Sequence, residues 1–253
     1  LTASLDERVT GAFRYVDETL PTIEENLALD EALLLAAEER GAGPVLRVWE
    51  SPALAVVLGA SCRINDDVAV ELCRSEGVVI SRRSSGGGTV LIGPGALNVA
   101  VVLPVDAAPG LAAVDTAQAF VLESLARSLS KAGQVIMVQG SGDLTLGDRK
   151  FAGSAQRRLR RYFLVHASLL YDFPIGLIVR YTRLPHRQPS YRSGRSHDEF
   201  LTNLPLPRET ILDAVRASWL TPKLTPSRPE LPWDVVEELV GTKFGDPAWV
   251  TRL

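Results

Sequence analysis

Two short stretches hold residues able to handle an anion. The first, SRRSSGGGTV from Ser81 to Val90, sets Arg82 and Arg83 ahead of Ser84, Ser85 and the run Gly86, Gly87, Gly88. Glycine lets a ligand come close to the backbone, and a guanidinium fork suits a carboxylate or a phosphate. The second, GDLTLGDRKFAGSAQRR from Gly142 to Arg158, places Lys150 just past a tight turn at Gly147-Asp148. Ala152, Gly153, Ser154 and Ala155 follow, and small residues beside a lysine read as a crowded approach to something bound. The common nucleotide loops do not fit. A P-loop needs Lys-Ser/Thr after its glycines and a helix behind, but Gly88 is followed by TVLIGPG, and the G-x-G-x-x-G spacing is absent.

The elements that must position these residues can be read from periodicity. TIEENLALDEALLLAAEER, Thr22 to Arg40, has helical spacing with a Thr22/Glu25 capping box, and Gly41 and Gly43 end it. PVLRVWE and LAVVLGA are strand-like, DVAVELCRSEG is helical, and VVISRR is a strand that delivers the glycine loop. GALNVAVVLP is the next strand, and DTAQAFVLESLARSLSKAG is an amphipathic helix with a glycine stop. The Lys150 stretch is expected as a hairpin, and RYFLVHASLLYDF as a further strand. In RRLRRY, strand alternation would put Arg158 and Arg160 on one face and Arg157 and Arg161 on the other, an acceptor-docking surface in an otherwise acidic chain. After Asn203 come a helix, LPLPRETILDAVRASWL, a proline-rich stretch and a last short helix, WDVVEELVGTKF. Short turns between most strands point to an α+β fold, with a mixed, largely antiparallel sheet and flanking helices. Residues 1–203 are expected as the catalytic domain and 204–253 as a small helical extension.

Composition narrows the classes. The 253 residues are 46% hydrophobic and 23% charged with a formal net charge of −3, an ordinary globular balance that argues against nucleic-acid or membrane-surface binding. No apolar run is long enough to span a bilayer and the first residues do not resemble a signal peptide, so a cytoplasmic protein is expected. Cys62 and Cys73 make no CxxC and no Cys/His cluster, which excludes an ordinary zinc site and a disulfide framework.

The pairing of RRSSGGGTV with GDLTLGDRKFAGSAQRR and the later HASLLYDF resembles the lipoate-protein ligase family, related to octanoyltransferases and biotin-protein ligases, over roughly residues 20 to 205. The resemblance implies a catalytic core like that of class II synthetases and a two-step reaction. Lipoate (or octanoate) and ATP give an acyl-adenylate. The acyl group then passes to a lysine of a lipoyl domain, on a dehydrogenase E2 subunit or a glycine-cleavage H-like protein. It also implies roles. Arg83, with Arg82, would hold the adenylate; Gly86, Gly87 and Gly88, after Ser85, would line the acyl and phosphate path. Lys150 would contact the mixed anhydride, Asp143 would sit near nucleotide and Mg²⁺, and Gly153, Ser154 and Gln156 would belong to the lysine loop. His166 lies in the following strand, where a positioning role is favoured, and His186 and His197 lie in an arginine-rich loop expected to cover the site.

Three departures from the family pattern matter. The HD-x-GN segment of ligases is IGPGA here, with Asn98 retained, which leaves Asp143 as the main acidic candidate. The cysteine positions of thioester-forming octanoyltransferases, near Val135 and Phe163, hold no cysteine, so acyl transfer from an acyl-carrier or acyl-protein donor ranks second. Cys62 is read as a thiol lining the pocket. The residues after Asn203 are too few for a complete accessory domain, which leaves room for a separate accessory partner. A non-catalytic lipoate-binding paralogue is the third reading, opposed by the retention of Arg83 and Lys150.

Overall fold

The computed structural model describes residues 5, 9, 12–185, 187–220 and 230–253. In chain order the strands are β1 Arg14–Asp17, β2 Val45–Glu50, β3 Ala55–Leu58, β4 Val79–Arg82, β5 Val90–Ile92, β6 Ala96–Pro104, β7 Ile136–Gln139, β8 Asp143–Leu146, β9 Arg149–Arg158 and β10 Tyr162–Leu170. The helices are α1 Ile23–Arg40, α2 Ile64–Asp67, α3 Val70–Ser75, α4 Val114–Ser130, α5 Gly176–Tyr181, α6 His197–Phe200, α7 Arg208–Trp219, α8 Trp233–Leu239 and α9 Pro247–Thr251.

Seven strands form one sheet in the order β1-β2-β6-β10-β9-β8-β7, antiparallel except for the β1/β2 pair. A smaller sheet, β4-β3-β5, has one parallel and one antiparallel pair. This is the mixed, largely antiparallel architecture expected from the short turns. The runs PVLRVWE and LAVVLGA are both strands, but they belong to different sheets.

Each face of the large sheet buries its own layer. One face packs Trp49, Ala100, Val102 and Leu164 against the α1 residues Leu27, Ala28 and Leu34 and the small-sheet residues Val56 and Val57. The other packs Leu46, Val48, Val99, Val101 and Val165 against Val121 and Leu125 of α4 and Ile211 and Val215 of α7. Each such Leu or Val, fully buried, contributes about 1.5–3 kcal/mol of transfer free energy. α1 begins as its sequence directs. Glu25 N–H donates to Thr22 Oγ1 at 3.2 Å, the Thr22 N–H donates back to Glu25 Oε2 at 2.9 Å, and Gly41 ends the helix at φ 66°. Among the described residues no helix is long and apolar enough to cross a membrane.

Among the described residues after Leu204, side chains join the layers on both faces of the large sheet, Ile211 and Val215 on one and Val236 and Phe244 on the other. α7 lies on α4, while Lys243 reaches Glu31 of α1 at 2.7 Å and Trp249 Nε1 donates to the Arg82 carbonyl at 2.8 Å.

The arginine run needs correction. β9 ends at Arg158 and the chain turns before Tyr162, with the Leu159 N–H donating to the Tyr162 carbonyl, so strand alternation does not extend through Arg161. Arg157 is paired with Glu31 at 3.1 Å and donates to the Ser84 carbonyl. Arg158 donates to the Leu111 carbonyl and lies over Phe163. Each of the two expected pairs, Arg158 with Arg160 and Arg157 with Arg161, thus has one member engaged in contacts within the fold, and strand alternation does not set either pair on a face.

Candidate active site

A cavity of about 460 Å³ lies on the α1 side of the large sheet. Its floor follows from strand register. Trp49 on β2 pairs with Asn98 on β6, Asn98 with Ser168 on β10, Ser168 with Gly153 on β9, and Gly153 with Asp143 on β8. Residues paired across antiparallel strands share a face, so these five form one continuous row, and all five line the cavity. At the usual strand spacing the row spans roughly 19 Å. Leu27, Val57, Leu91 and Ile178 supply apolar wall, and beside Lys150 and Asp143 stand Leu201 and Phe200 with Arg192 over the Phe200 ring.

Lys150 joins this row through an irregularity. Plain alternation would turn Lys150 and Gly153, three residues apart, to opposite faces. A β-bulge opposite Leu144 and Thr145 shifts the register, so that Thr145 pairs with Lys150 and Phe151 and Ala152 both pack into the α4 layer. Lys150 Nζ then lies 2.7 Å from Asp143 Oδ1. Gly153 leaves the space beneath it, since a Cβ there would come 2.8 Å from Nζ. The other carboxylate oxygen, Oδ2, accepts the Tyr191 hydroxyl at 2.7 Å, and burial, with that carboxylate beside it, pushes the phenol well above its usual range. Ser154 Oγ ties the hairpin to α4. It donates to the Gly142 carbonyl at 2.8 Å and accepts from Gln118 Nε2 at 2.8 Å.

The glycine loop is held by the arginine that precedes it. Arg83 donates to the carbonyls of Gly86 at 2.6 Å and Gly88 at 2.8 Å, to Ser85 Oγ at 3.0 Å and to Val57 O at 3.3 Å. Burial lowers its pKa to about 10, which leaves it cationic at neutral pH. Gly87 takes φ +81°, and its carbonyl would meet a Cβ on Gly59 at 2.0 Å, so both glycines are required by close backbone approach. Arg82 turns away, as strand alternation demands. It is fully buried and donates to the carbonyls of Gly59, Cys62 and Val250. The two arginines therefore do not form a pair at a ligand: Arg82 ties the loop's strand to the C-terminal helix, and Arg83 lines the cavity.

His166 joins the glycine loop to α1. Its Nε2 lies 2.5 Å from Ser85 Oγ, and its Nδ1 is 3.6 Å from Asp30 Oδ2. Arg83 Nε can only donate to Ser85 Oγ, so the serine proton is free to go to Nε2, and the ring proton is assigned to Nδ1, facing Asp30. Asp30 is paired in turn with the fully buried Arg47 at 2.5 Å. Burial alone would push this carboxyl up; Arg47 and His166 together hold it below the usual carboxylate range.

Of the residues expected from sequence, Lys150, Arg83, Gly87, Gly88, Asn98, Asp143, Gly153, Ser154 and His166 line the cavity together. Arg82, Ser85, Gly86 and Gln156 do not line it: Ser85 and Gly86 support it from behind, and the Gln156 amide is buried without a hydrogen-bond partner. His197 lines it with Arg183, Arg187 and Arg192, as the covering loop requires; His186 lies outside the described residues. Cys62 sits behind Gly87, its thiol on that carbonyl at 3.4 Å and raised in pKa first by burial, and it does not line the cavity. Asp30, Tyr191 and Arg192 were not singled out in the sequence. Asp30 had a signal, as a carboxylate inside the stripe Ile23, Leu27, Asp30, Leu34 on the buried face of α1.

A protein-held Mg²⁺ does not fit these residues. Both oxygens of Asp143 are taken, one by an ammonium, and the described residues contain no group of three His, Cys, Asp or Glu side chains placed to hold a metal.

Comparison with known proteins agrees with this geometry. The profile described as lipoyl protein ligase A/B catalytic domain matches residues 22–218. A protein of Aeropyrum pernix provisionally named lipoate-protein ligase A is 35% identical over 145 residues, 57% of this chain and 52% of that protein. An octanoyl-[GcvH]:protein N-octanoyltransferase of Geobacillus kaustophilus is 30% identical over 145 residues, 54% of this chain and 51% of that protein. The chain thus spans about half the length of these curated relatives. In structure it matches a bi-partite lipoate protein ligase of Thermoplasma acidophilum, solved in a study that includes its E2 lipoyl domain, with a TM-score of 0.80 at 20% identity, covering 94% of this chain and 95% of that one. With the profile covering most of its length and the same fold in a solved ligase, the chain belongs to the lipoyl protein ligase A/B catalytic-domain family.

Proposed function

We propose that the protein is an ATP-dependent lipoate–protein ligase. The observation that carries this reading is a cavity whose floor runs from the Trp49 indole to the Lys150–Asp143 ion pair, with Arg83, Arg183, Arg187 and Arg192 also in its lining. An acyl chain laid toward Trp49 brings its carboxylate to Lys150. That carboxylate attacks the α-phosphorus of ATP, a carboxyl–phosphate bond forms, and pyrophosphate leaves. The amine of an acceptor lysine then attacks the acyl carbonyl and AMP leaves. Both partners of the first step are anions, so fixed positive charge lowers the barrier. Lys150 supplies it at the reacting oxygens, and Arg83 supplies it from behind the loop whose carbonyls it holds. A divalent cation would be carried by the nucleotide phosphates rather than by a protein cage. The acceptor is a lipoyl domain of an E2 subunit or an H-like protein, in keeping with the partners named for the Thermoplasma and Geobacillus proteins.

The Geobacillus relative favours a second reading, acyl transfer from a protein donor. The cysteines speak against it, since neither lines the cavity and burial raises both thiols. Lipoate-dependent exchange of labelled pyrophosphate into ATP separates the two. Exchange is expected; transfer from an octanoylated protein donor without exchange would overturn the ligase reading.

A further inference from the structure

The segment that covers the cavity contains two arginines in one short turn with opposite circumstances. Arg195 is satisfied. It pairs with Asp148 at 2.8 Å and donates to the carbonyls of Asp148, Tyr191 and Arg192. Arg192 is only 3% exposed, and among the described residues its guanidinium makes one hydrogen bond, from Nε to the Arg195 carbonyl at 2.9 Å. Its Nη2 is buried without a partner, and no carboxylate pairs with it among the described residues. Ser193 at φ 51° and Gly194 at φ 73° make the turn that fixes it, and the Phe200 ring lies 4.7 Å below its Cζ. The side chain is therefore held in place and lines the cavity, with Asp143 acting on it only at a distance and no carboxylate in direct contact among the described residues.

Burial disfavours a guanidinium that has no carboxylate in direct contact. A ligand that brings the missing oxyanion offsets that cost when it binds. Tyr191, the preceding residue, bonds to Asp143, so Arg192 belongs to the cationic end of the floor, not to the Trp49 end. Arg83, Lys150, Arg183 and Arg187 line the cavity with it, against the three carboxylates Asp30, Asp67 and Asp143, of which Asp30 is already paired with Arg47 and Asp143 with Lys150. A single carboxylate would not balance this surplus, whereas a phosphate chain would, and the planar fork matches its oxygens.

We propose that Arg192 is an oxyanion-binding residue that takes a phosphate group of the nucleotide, an inference that rests on the ligase reading. Calorimetric titration of the whole protein with ATP, inorganic pyrophosphate and octanoate tests it. Arg192→Gln is expected to weaken ATP and pyrophosphate binding by about 10–100-fold, as for loss of a hydrogen bond to a charged group, and to leave octanoate within about twofold. Arg192→Lys, which keeps the charge and the fold but loses the fork, is expected to fall between the two. Unchanged ATP and pyrophosphate affinity in both variants overturns the inference alone. A larger loss for octanoate than for pyrophosphate also overturns it, since Arg192 would then hold the acyl carboxylate. If the unaltered protein binds neither ATP nor pyrophosphate, the ligase reading fails as well.

Discussion

The His166 imidazole and the Ser85 hydroxyl meet at 2.5 Å, and this contact joins the glycine loop to the centre of the large sheet. His166 pairs with Ala100 and Ala155, so its ring stands in the row beside the cavity floor, and Asp30 comes to it from α1. Ser85 in turn receives Arg83 Nε, whose other donors hold Gly86 and Gly88. The loop is thus positioned by a chain that begins at Arg47 in the core.

The first prediction follows from that chain. Ser85→Ala removes the acceptor of Arg83 Nε and the donor to His166 Nε2 without adding volume. Loss of one buried neutral hydrogen bond costs about 1 kcal/mol of stability, with more if the partners stay unsatisfied. Acyl-adenylate formation should fall further than stability does, because the loop that lines the reacting end is released. Rate and thermal midpoint, measured on the same preparation, check this. A variant that loses stability but adenylates normally would show that the contact serves packing alone.

Gly153 gives a sharper test of Lys150. A Cβ at this position would lie 2.8 Å from Lys150 Nζ and 3.0 Å from Cε, and both atoms belong to the flexible end of a side chain. Gly153→Ala should therefore fold, and push the ammonium off Asp143. Lys150→Ala should cut adenylate formation by about 10²–10³, the usual cost of one preorganised donor. Gly153→Ala should approach that loss while leaving the lysine in place. Stability should change little in Lys150→Ala, because a partly exposed ion pair contributes only about 0–1 kcal/mol. Normal adenylation by Gly153→Ala would show that the Lys150–Asp143 contact is not the productive position.

Much of this site was legible, and the part that was not has definite physical causes. The capping box at Thr22, the turn at Gly147 and the strand that delivers Arg83 are local signals, and they stand where periodicity put them. The role of Arg82 follows from alternation along β4, yet its partner Val250 lies 168 residues away, and no local pattern reports such a contact. The bulge in β9 is equally hidden: small residues at Ala152 and Gly153 fit a regular strand as well as a kinked one. Arg157 and Arg158 looked like surface because charge in a sequence does not show its partner, which for Arg157 is Glu31 on α1.

The cysteines give a third prediction. Cys62 is held on the Gly87 carbonyl with its pKa raised first by burial, and Cys73 is fully buried in α3, so neither presents a thiolate to an acyl group in the cavity. The double variant Cys62→Ser, Cys73→Ser should keep ligase activity with free lipoate and ATP, allowing for a modest loss of stability from the buried hydroxyl at position 73. Mass spectrometry of the unaltered protein incubated with an octanoylated donor should show no thioester. A stable acyl adduct on Cys62 would restore the transferase reading.

Acid should act on this fold through Asp30. Its carboxyl is buried, and although desolvation opposes the charged form, Arg47 and His166 hold its pKa below the ordinary value of 3.8. A carboxylate with a depressed folded pKa contributes stability that is fully present above the unfolded value and disappears as pH falls through the folded one. Asp30→Asn removes this titration and leaves Arg47 buried without a counter-charge, which costs roughly 3–5 kcal/mol. The gap in unfolding free energy between the two proteins should therefore be widest at neutral pH, hold down to about pH 4, and narrow below it as the native carboxylate protonates. Denaturant melts between pH 2.5 and 7 test this. A gap independent of pH would mean that Asp30 stays charged throughout or that its loss is felt only as lost packing.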